Sequence, residues 1–497
     1  MATNPNLKKL ICGYDVLFPY CEIPNTLNPK YLSFATESEW NFDKSEPYFW
    51  KNYQKPWPVF NGRWLVDLND ENGYPGYFAI DKKSTYDIIK DRERGKHYDW
   101  YYLIEPYGCV DNFFGLTPEF KDEFFHKFIP QYTIDEIKNH NGFLVINYAI
   151  DGGFNSKNLK QLYDSLSILD IPFEKIIIIH NDIHLEKNIE KIFNNKKPKL
   201  IHYCWSLNSK SREYYGKIKN PKYSFWNQED RLKNYTYMSV FDSINFNKKT
   251  HKFLNLNRRL RAHRLELIHF FWKENIFSDV LISYDTKMIM FDGLEYIKKK
   301  LSVEEFNDFY NYIKHTSPKI VDYDDIENIW GYGFESKEIY EKSLISILSE
   351  TFFFDENGYL SEKIWKPLAH GHPFIFVGPH GTLKFIKEKF GFKTFSPYID
   401  ESYDDEEDAF KRMEMIKTEI KRLNSYSLDE LKEIISNLKN VITFNKNLIL
   451  EYGSKNICLD YLHYLRVSNK EIEADMLLEN SINQYKTANN SKKYNLI

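Results

Sequence analysis

The sequence has few cysteines and no long apolar run. Only 5 of its 497 residues are cysteine. Except for the first two they are widely separated, and no CxxC pair occurs, which argues against a disulfide scaffold and a thiolate zinc site. No stretch reaches the roughly 18 apolar residues of a transmembrane helix, and the first residues lack the apolar core of a signal peptide. We therefore expect no transmembrane segment and a cytoplasmic protein with reduced thiols.

The chain also lacks an excess of either charge. Lys plus Arg is 67 and Asp plus Glu is 71, so the net charge is −4. This balance argues against nucleic acid or another bulk polyanion as a partner, and any phosphate site must be a local cluster. Aromatic residues reach 17%, and with frequent Lys, Asn and Ile they are typical of an AT-rich genome, viral or bacterial. For a viral source, the cytoplasm would be that of the host.

Several catalytic and metal-binding motifs are missing. The sequence contains no HExxH, EF-hand, GxSxG, Walker or GxGxxG motif, each of which has a defined spacing. No convincing DxD metal clamp occurs either. The acidic run 400–408 lacks the glycine and the spacing of a calcium loop, and we interpret it as a solvated loop. We expect no metal and no cofactor other than a bound substrate.

Two separate series of strands and helices stand out. Apolar runs at 143–150 and 175–180 predict buried strands with helices after them, and a second series begins at 252. Strand–helix alternation favours parallel sheets in an α/β fold. We predict two lobes that meet near 240–250, with these divisions: an irregular, aromatic-rich region 1–140, an N-terminal α/β lobe 141–245, a C-terminal lobe 250–465 and a tail 466–497.

A basic segment follows the first strand of the second series. Arg261 and Arg264 stand where this strand gives way to a helix, and a spacing of three places them on one helix face. A helix N-terminus offers free N–H groups, and guanidinium groups match phosphate oxygens. The segment therefore predicts a diphosphate site, with a solvated basic turn as the alternative.

A second segment, 359–368, starts with a possible helix cap. Ser361 is a good N-cap, which would put Glu362 and Lys363 in the first helical turn. A lysine there opposes the helix dipole unless an anion is bound, and the glutamate could accept hydrogen bonds from ribose hydroxyls. The alternative is the ordinary start of an amphipathic helix.

Two further positions follow predicted strands. Gly378 comes directly after the strand 373–377, where a missing side chain would let the backbone approach a ligand. Asp151 follows the strand 143–150, and a carboxylate there could act as a general base. A turn-forming aspartate is the alternative for Asp151.

Taken in order, these segments resemble the C-terminal lobe of GT-B glycosyltransferases, most specifically the fucosyltransferase-like group and its viral and bacterial relatives. The resemblance covers about residues 250–465. It implies an α/β protein with two Rossmann-like lobes of GT-B type and C-terminal helices. The segments that carry the resemblance are Arg264, Ser349-Glu350-Thr351, Tyr359-Leu-Ser-Glu-Lys363, Pro373 to Gly378, Gly391 to Phe395 and Asp400 to Tyr403.

The resemblance also implies roles for particular residues. Arg264 and Lys363 would hold the diphosphate of a nucleotide-sugar donor, Glu362 the ribose, and Glu350 would lie near the nucleotide. The donor site would be completed by Arg261, Tyr359, Ser361 and Gly378. The general base would be a carboxylate of the N-terminal lobe, with Asp151 as the candidate and Glu105 as the rival.

The activity implied is transfer of a sugar from a nucleoside-diphosphate sugar to a glycan or other hydroxyl acceptor, inverting and metal-independent. Donor and acceptor stay open. One alternative is a catalytically silent carbohydrate-binding or assembly protein with the same fold, which transfer assays with a panel of donors would distinguish. Another is a viral DNA-base glycosyltransferase, for which a basic stripe on the N-terminal lobe would be the indication.

Overall fold

A computed structural model describes twelve stretches of the chain, and the statements below concern these residues. The chain divides into two compact units; among the described residues, the first extends to Cys204 and the second begins at Ser206. Each unit contains one parallel sheet with helices, so the α/β class is confirmed. The stretches are 10–14, 80–104, 129–148, 156–194, 196–202, 204, 206–207, 246–257, 259–319, 321, 337–354 and 357–455.

The first unit contains a sheet whose neighbouring strands are all parallel. Its strands are β1 (Leu10–Tyr14), β2 (Ile80–Ser84), β3 (Trp100–Ile104), β4 (Gly142–Tyr148), β5 (Ile176–His180) and β6 (Lys199–His202), in the order β2-β1-β3-β4-β5-β6. Its helices are α1 (Thr85–Glu93), α2 (Gln131–Asn139), α3 (Ser156–Leu169) and α4 (Leu185–Ile192).

The core of the first unit follows from the apolar pattern of its elements. Every residue of β5 is buried, as expected for a strand covered on both faces of a parallel sheet. Along α3, Leu159, Leu162 and Leu166 are fully buried, and their spacing of three and four places them on one helix face. These side chains pack against the strands in one apolar cluster.

The second unit contains a sheet of strands β7 (His251–Leu256), β8 (Val280–Ser283), β9 (Ser343–Ser349) and β10 (Phe374–Val377). The order is β10-β9-β7-β8, and all pairs are parallel. The helices are α5 (Ala262–Lys273), α6 (Phe291–Lys300), α7 (Val303–Thr316), α8 (Lys337–Lys342), α9 (Trp365–His370), α10 (Thr382–Phe390), α11 (Ala409–Asn424), α12 (Leu428–Ser436) and α13 (Lys439–Lys455).

The two sheets share a strand order. We number the strands of each sheet along the chain from its own first strand. The first sheet then has the order 2-1-3-4-5-6, and the second sheet, read from β8 to β10, has the order 2-1-3-4. In such a sheet the direction of chain progression reverses between the first and third strands, and a crevice forms outside their carboxyl ends. In the second sheet this point lies between the ends of β7 and β9.

Several sequence expectations need correction. The region 1–140 is not irregular throughout, because the strands β1, β2 and β3 and the helices α1 and α2 lie in it. The segment 359–368, in which a helix was expected to begin after Ser361, becomes helical only at Trp365. None of the helices in the described stretches is both long and apolar enough to cross a membrane.

Candidate functional site

Polar side chains join the carboxyl ends of β7 and β9. Asn255 in β7 is fully buried, and its Nδ2 donates to the Ile347 carbonyl at 2.7 Å and to Ser349 Oγ at 3.4 Å. Asn257, also buried, donates to Asn255 Oδ1. These amides lock the ends of two adjacent strands together where the crevice of a parallel sheet is expected.

Glu350, the first residue after β9, is the centre of the cluster. Its side chain is fully buried, and the carboxylate accepts hydrogen bonds from Thr351 N at 2.7 Å, Ser361 Oγ at 2.6 Å and Ser361 N at 3.2 Å. Its backbone N–H donates to the Val377 carbonyl of β10 at 2.9 Å. A buried carboxylate with this many donors is held in one orientation.

Lys363 places a cation beside this buried carboxylate. Its Nζ lies 3.4 Å from Glu350 Oε1 and 3.5 Å from Glu362 Oε1, and it donates to Ser361 Oγ at 3.0 Å. The lysine side chain is 29% exposed and that of Glu362 is 15% exposed. The lysine is therefore held by a buried carboxylate, while part of its side chain is exposed to solvent.

Ser361 does not cap a helix, contrary to the sequence prediction. Residues 362–364 form a turn, and α9 starts at Trp365 with no side-chain cap. The Ser361 hydroxyl instead donates to Glu350 and accepts from Lys363 N at 3.3 Å. Because Lys363 lies outside the helix, the dipole conflict that suggested a bound anion does not arise, and Glu350 accounts for the placement of Lys363.

Ser206 supports the same loop from a distant segment of the chain. It is 2% exposed, and its hydroxyl donates to the Leu360 carbonyl at 3.1 Å and accepts from Trp365 Nε1 at 2.9 Å. The segment with Ser361 and Lys363 is thus held on both sides. Tyr359, just before it, is 6% exposed and belongs to the packed portion of the loop.

Arg264 is buried and makes three hydrogen bonds to the backbone. One terminal nitrogen donates to the Arg259 carbonyl at 2.8 Å, and the other to the carbonyls of Ser349 at 3.0 Å and Glu350 at 2.9 Å. Burial lowers the pKa of its guanidinium to about 10, so the group stays charged at neutral pH. Arg264 therefore clamps the end of β9 to α5 and supplies a fixed positive charge.

Arg261 and Arg264 do not share a helix face as predicted. Arg261 is the N-cap residue of α5 and has extended backbone geometry, so the helical spacing does not apply to it. Its side chain is half-buried, and its guanidinium lies 5.5 Å from the centroid of the Phe352 ring. Of the two arginines, Arg261 is the one that reaches solvent.

His263 belongs to the cluster, although it was not among the residues predicted from the sequence. It is 2% exposed, and its Nε2–H donates to the Glu350 carbonyl at 2.9 Å. Burial, reinforced by the charge of Arg264, holds the pKa of His263 well below its usual value, so the ring is neutral. Its position next to Arg264 in the basic segment was the available signal.

Gly378 makes room for internal packing, and the approach of a ligand to its backbone stays a prediction. A Cβ at this position would lie 2.3 Å from the Phe376 ring and 3.1 Å from Glu350 Cβ. Only glycine fits there, because such distances are far inside van der Waals contact. The missing side chain makes room for Phe376 and Glu350.

The acidic run 400–408 is not wholly a solvated loop. Asp404 is 5% exposed, and its carboxylate accepts from Leu383 N at 3.1 Å and Lys384 N at 3.0 Å in the first turn of α10. Burial raises the pKa of Asp404 to about 6. The N-terminus of α10 is thus capped by the protein's own carboxylate.

The two candidate bases, Asp151 and Glu105, lie outside the described residues. The strands before them end at Tyr148 and Ile104. Nothing in the described stretches therefore tests these assignments. Within those stretches, no group of three or more His, Cys, Asp or Glu side chains is arranged to hold a metal ion.

Comparisons with known proteins add no family assignment. No protein-family model matches the chain, and no curated protein matches it at a significant level. The chemistry of the site must therefore be interpreted from its own contacts and charges.

Proposed function

We propose that the protein is a glycosyltransferase that binds a nucleoside-diphosphate sugar at the carboxyl ends of β7 and β9. The observation that carries the proposal is the position of Lys363. Its ammonium lies 3.4 Å from the buried Glu350 carboxylate, and the lysine side chain is partly exposed. Arg261 and Arg264 stand at the start of α5, after β7. Ligands of parallel sheets bind in the crevice at this kind of position.

The cations are suited to a diphosphate leaving group. Lys363 and Arg261 both reach the surface, so they can contact phosphate oxygens directly. Arg264 is committed to backbone carbonyls and acts on the phosphates through its charge, which is screened less in a buried setting. Fixed positive charge where negative charge develops lowers the barrier to transfer.

Glu350 and Glu362 have different roles in this proposal. Glu350 is fully buried and already accepts four hydrogen bonds, so it positions Ser361 and Lys363. Glu362 is 15% exposed and can accept hydrogen bonds from the two ribose hydroxyls. Support for this division comes from the difference in burial between the two carboxylates.

The proposed reaction is a single displacement. A carboxylate takes the proton of the acceptor hydroxyl, the hydroxyl oxygen attacks the anomeric carbon, and the bond to the diphosphate breaks with inversion. Asp151 and Glu105 remain the candidates for this base. The finer fold assignment, two Rossmann-like lobes of GT-B type, belongs to the same proposal, and the two parallel sheets are compatible with it.

Thermal-shift and calorimetric titrations with GDP-, UDP- and dTDP-sugars test donor binding. We expect one donor class to bind, Lys363→Ala to weaken it, and Lys197→Ala, which removes an exposed lysine of the first unit, to leave it unchanged. Sugar transfer to a hydroxyl acceptor should then persist in EDTA. Donor binding without transfer to any acceptor would favour a silent carbohydrate-binding protein, and a strict need for Mn²⁺ or Mg²⁺ would contradict the metal-independent class.

A further inference from the structure

An exposed group of aromatic side chains lies next to the proposed donor site. Directly after Glu350 and Thr351 come Phe352, Phe353 and Phe354. The ring of Phe354 lies 5.3 Å from that of Phe410 at the start of α11 and 5.1 Å from that of Tyr296 on α6. We call Tyr296, Phe354 and Phe410 the aromatic platform.

The platform is open to solvent. Phe410 is 60% exposed, which is unusual for a phenylalanine that contacts another ring. Phe354 and Tyr296 are half-buried. The Phe354 ring is tilted by 36° from that of Phe410 and by 38° from that of Tyr296, so the exposed Phe410 ring is the part of the platform that a planar ligand can reach.

The platform is also rigid. The buried carboxylate of Glu266 on α5 accepts from the Tyr296 hydroxyl and from Lys417 on α11, the helix that carries Phe410. Lys300 on α6 donates to the same carboxylate. One buried anion therefore ties together the two helices that present the rings, and a preorganised surface loses less entropy on binding.

The platform lies near the cations of the site. Phe354 follows Glu350 by four residues, so their Cα atoms lie at most about 14 Å apart. The helix α6 passes directly over the start of α5, since a Cβ at Gly293 would lie 3.1 Å from the Arg261 carbonyl carbon. Arg261 in turn covers the ring of Phe352. An aromatic surface thus adjoins a cationic one.

We propose that the aromatic platform binds the nucleobase of the donor by stacking. This inference rests on the proposed function, which puts the diphosphate on Lys363 and Arg261. A nucleoside diphosphate has a planar base joined through ribose to its anionic end, which matches a ring surface beside cations. Stacking on aromatic side chains tolerates different bases because every base has a π face.

Calorimetric titration of the full chain with GDP, UDP and inorganic pyrophosphate tests the inference. We expect Phe410→Leu to weaken binding of the tighter nucleoside diphosphate by roughly 5- to 150-fold, the range that base–aromatic stacking gives. Pyrophosphate, which has no base, should bind the variant as it binds the parent. Phe410→Trp keeps a ring and should restore nucleotide affinity.

Phe291→Leu is the matched control, because Phe291 is 80% exposed and lies on α6 outside the platform. Its nucleotide affinity should equal that of the parent. If the parent binds GDP or UDP and both Phe410→Leu and Phe354→Leu bind it equally well, the platform assignment is overturned while the diphosphate site stands. If Phe410→Leu loses as much affinity for pyrophosphate as for the nucleoside diphosphate, the platform assignment is also overturned, because pyrophosphate has no base. If neither GDP nor UDP binds the parent, the same titrations are made with dTDP; if none of the three binds, the proposed function fails and the inference with it.

Discussion

The carboxyl edges of the two sheets differ in chemistry although the sheets share the strand order 2-1-3-4. At the edge of the first sheet, β5 ends in His180, followed by Asn181 and Asp182, all buried. The His180 ring lies 5.3 Å from that of His202 at the end of β6, and its Nδ1 accepts from Asp182 N at 3.3 Å. The second edge carries Lys363 and arginines instead. Two sheets with the same strand order can therefore have the same place for a ligand, while the side chains at that place determine which ligand can bind.

The largest effect is expected from Asp151, the first candidate for the general base. Asp151→Asn should lower turnover by about 10²–10⁴-fold, the contribution of a positioned base, while donor affinity stays at the parent value. Asp182→Asn is the comparison within the same unit. Asp182 accepts from His184 N at 2.9 Å, which an asparagine can also do, so turnover should persist. If Asp151→Asn transfers sugar at the parent rate, Glu105→Gln is the next variant to measure.

Loss of the buried charge at Glu350 should be the next largest effect. Glu350→Gln leaves Lys363 and Arg264 without their buried anion, and removing one partner of a buried pair costs about 3–5 kcal/mol. Glu136 in the first unit pairs with Arg92, which is 30% exposed, about as exposed as Lys363. Glu350 interacts in addition with the charge of the buried Arg264, so Glu136→Gln should cost less. Denaturant unfolding followed by tryptophan fluorescence measures both. A larger loss in Glu136→Gln would contradict the special role of the second edge.

Lys363→Ala should weaken binding of the diphosphate by roughly 1.5–3 kcal/mol, the range for hydrogen bonds to charged groups. Stability should fall as well, because the buried Glu350 carboxylate loses the ammonium beside it, but only moderately, since Glu350 keeps its three other hydrogen-bond donors. Arg264→Ala should lower both affinity and stability, since three backbone carbonyls lose their donor. Calorimetry with thermal melting separates these outcomes. Unchanged affinity in both variants would remove the diphosphate from this edge.

The last expected effect, the smallest when taken per pH unit, concerns Lys249, which lies just before β7 at the amino edge of the second sheet. It is 5% exposed and donates to the carbonyls of Tyr340 and Ser343, each at 2.7 Å. Burial lowers its pKa to about 8 from 10.5. Between these values the unfolded chain binds more protons, so the free energy of unfolding should rise with pH by at most about 1.4 kcal/mol per unit.

Lys249→Met removes the titrating group, so the variant should lose this rise between about pH 8 and 10.5. The substitution also removes two hydrogen bonds, which lowers the free energy of unfolding at every pH. The test is therefore the slope of the free energy of unfolding against pH, not its absolute value. Lys175 of the first unit also donates to backbone carbonyls and has a lowered pKa, caused chiefly by burial. It is less buried, so Lys175→Met should change the slope less. Equal slopes in the parent and in Lys249→Met would contradict the prediction.

Sequence patterns predicted the elements that are apolar throughout. The runs at β4, β5 and β10 and the helical spacing of α3 stood out because burial on both sheet faces or on one helix face leaves a periodic signal. The strands β1 and β2 were missed. The sequence of β2, Ile80-Asp-Lys-Lys-Ser84, is largely polar, and its edge position in the sheet allows that.

The residues of the site were easier to select than their contacts. Ser361, Lys363 and Glu350 do lie together, but the local pattern predicted that Ser361 would cap a helix. Its actual partner, Glu350, is eleven residues away. Asp404 was predicted to lie in a solvated loop because the helix that it caps begins more than twenty residues earlier in the chain, so this contact is not local either. Contacts between distant segments leave no periodic trace in the sequence.

Ser206 sets a limit on how the protein can be divided. A fragment that begins at residue 250, the predicted start of the C-terminal lobe, would lack this hydroxyl. The indole N–H of Trp365 and the carbonyl of Leu360 would each lose their hydrogen bond to it, and a buried polar group left unpaired costs about 1–3 kcal/mol. Both groups flank the segment with Lys363. A separately expressed second unit should therefore begin before Ser206 to keep this loop in its native shape.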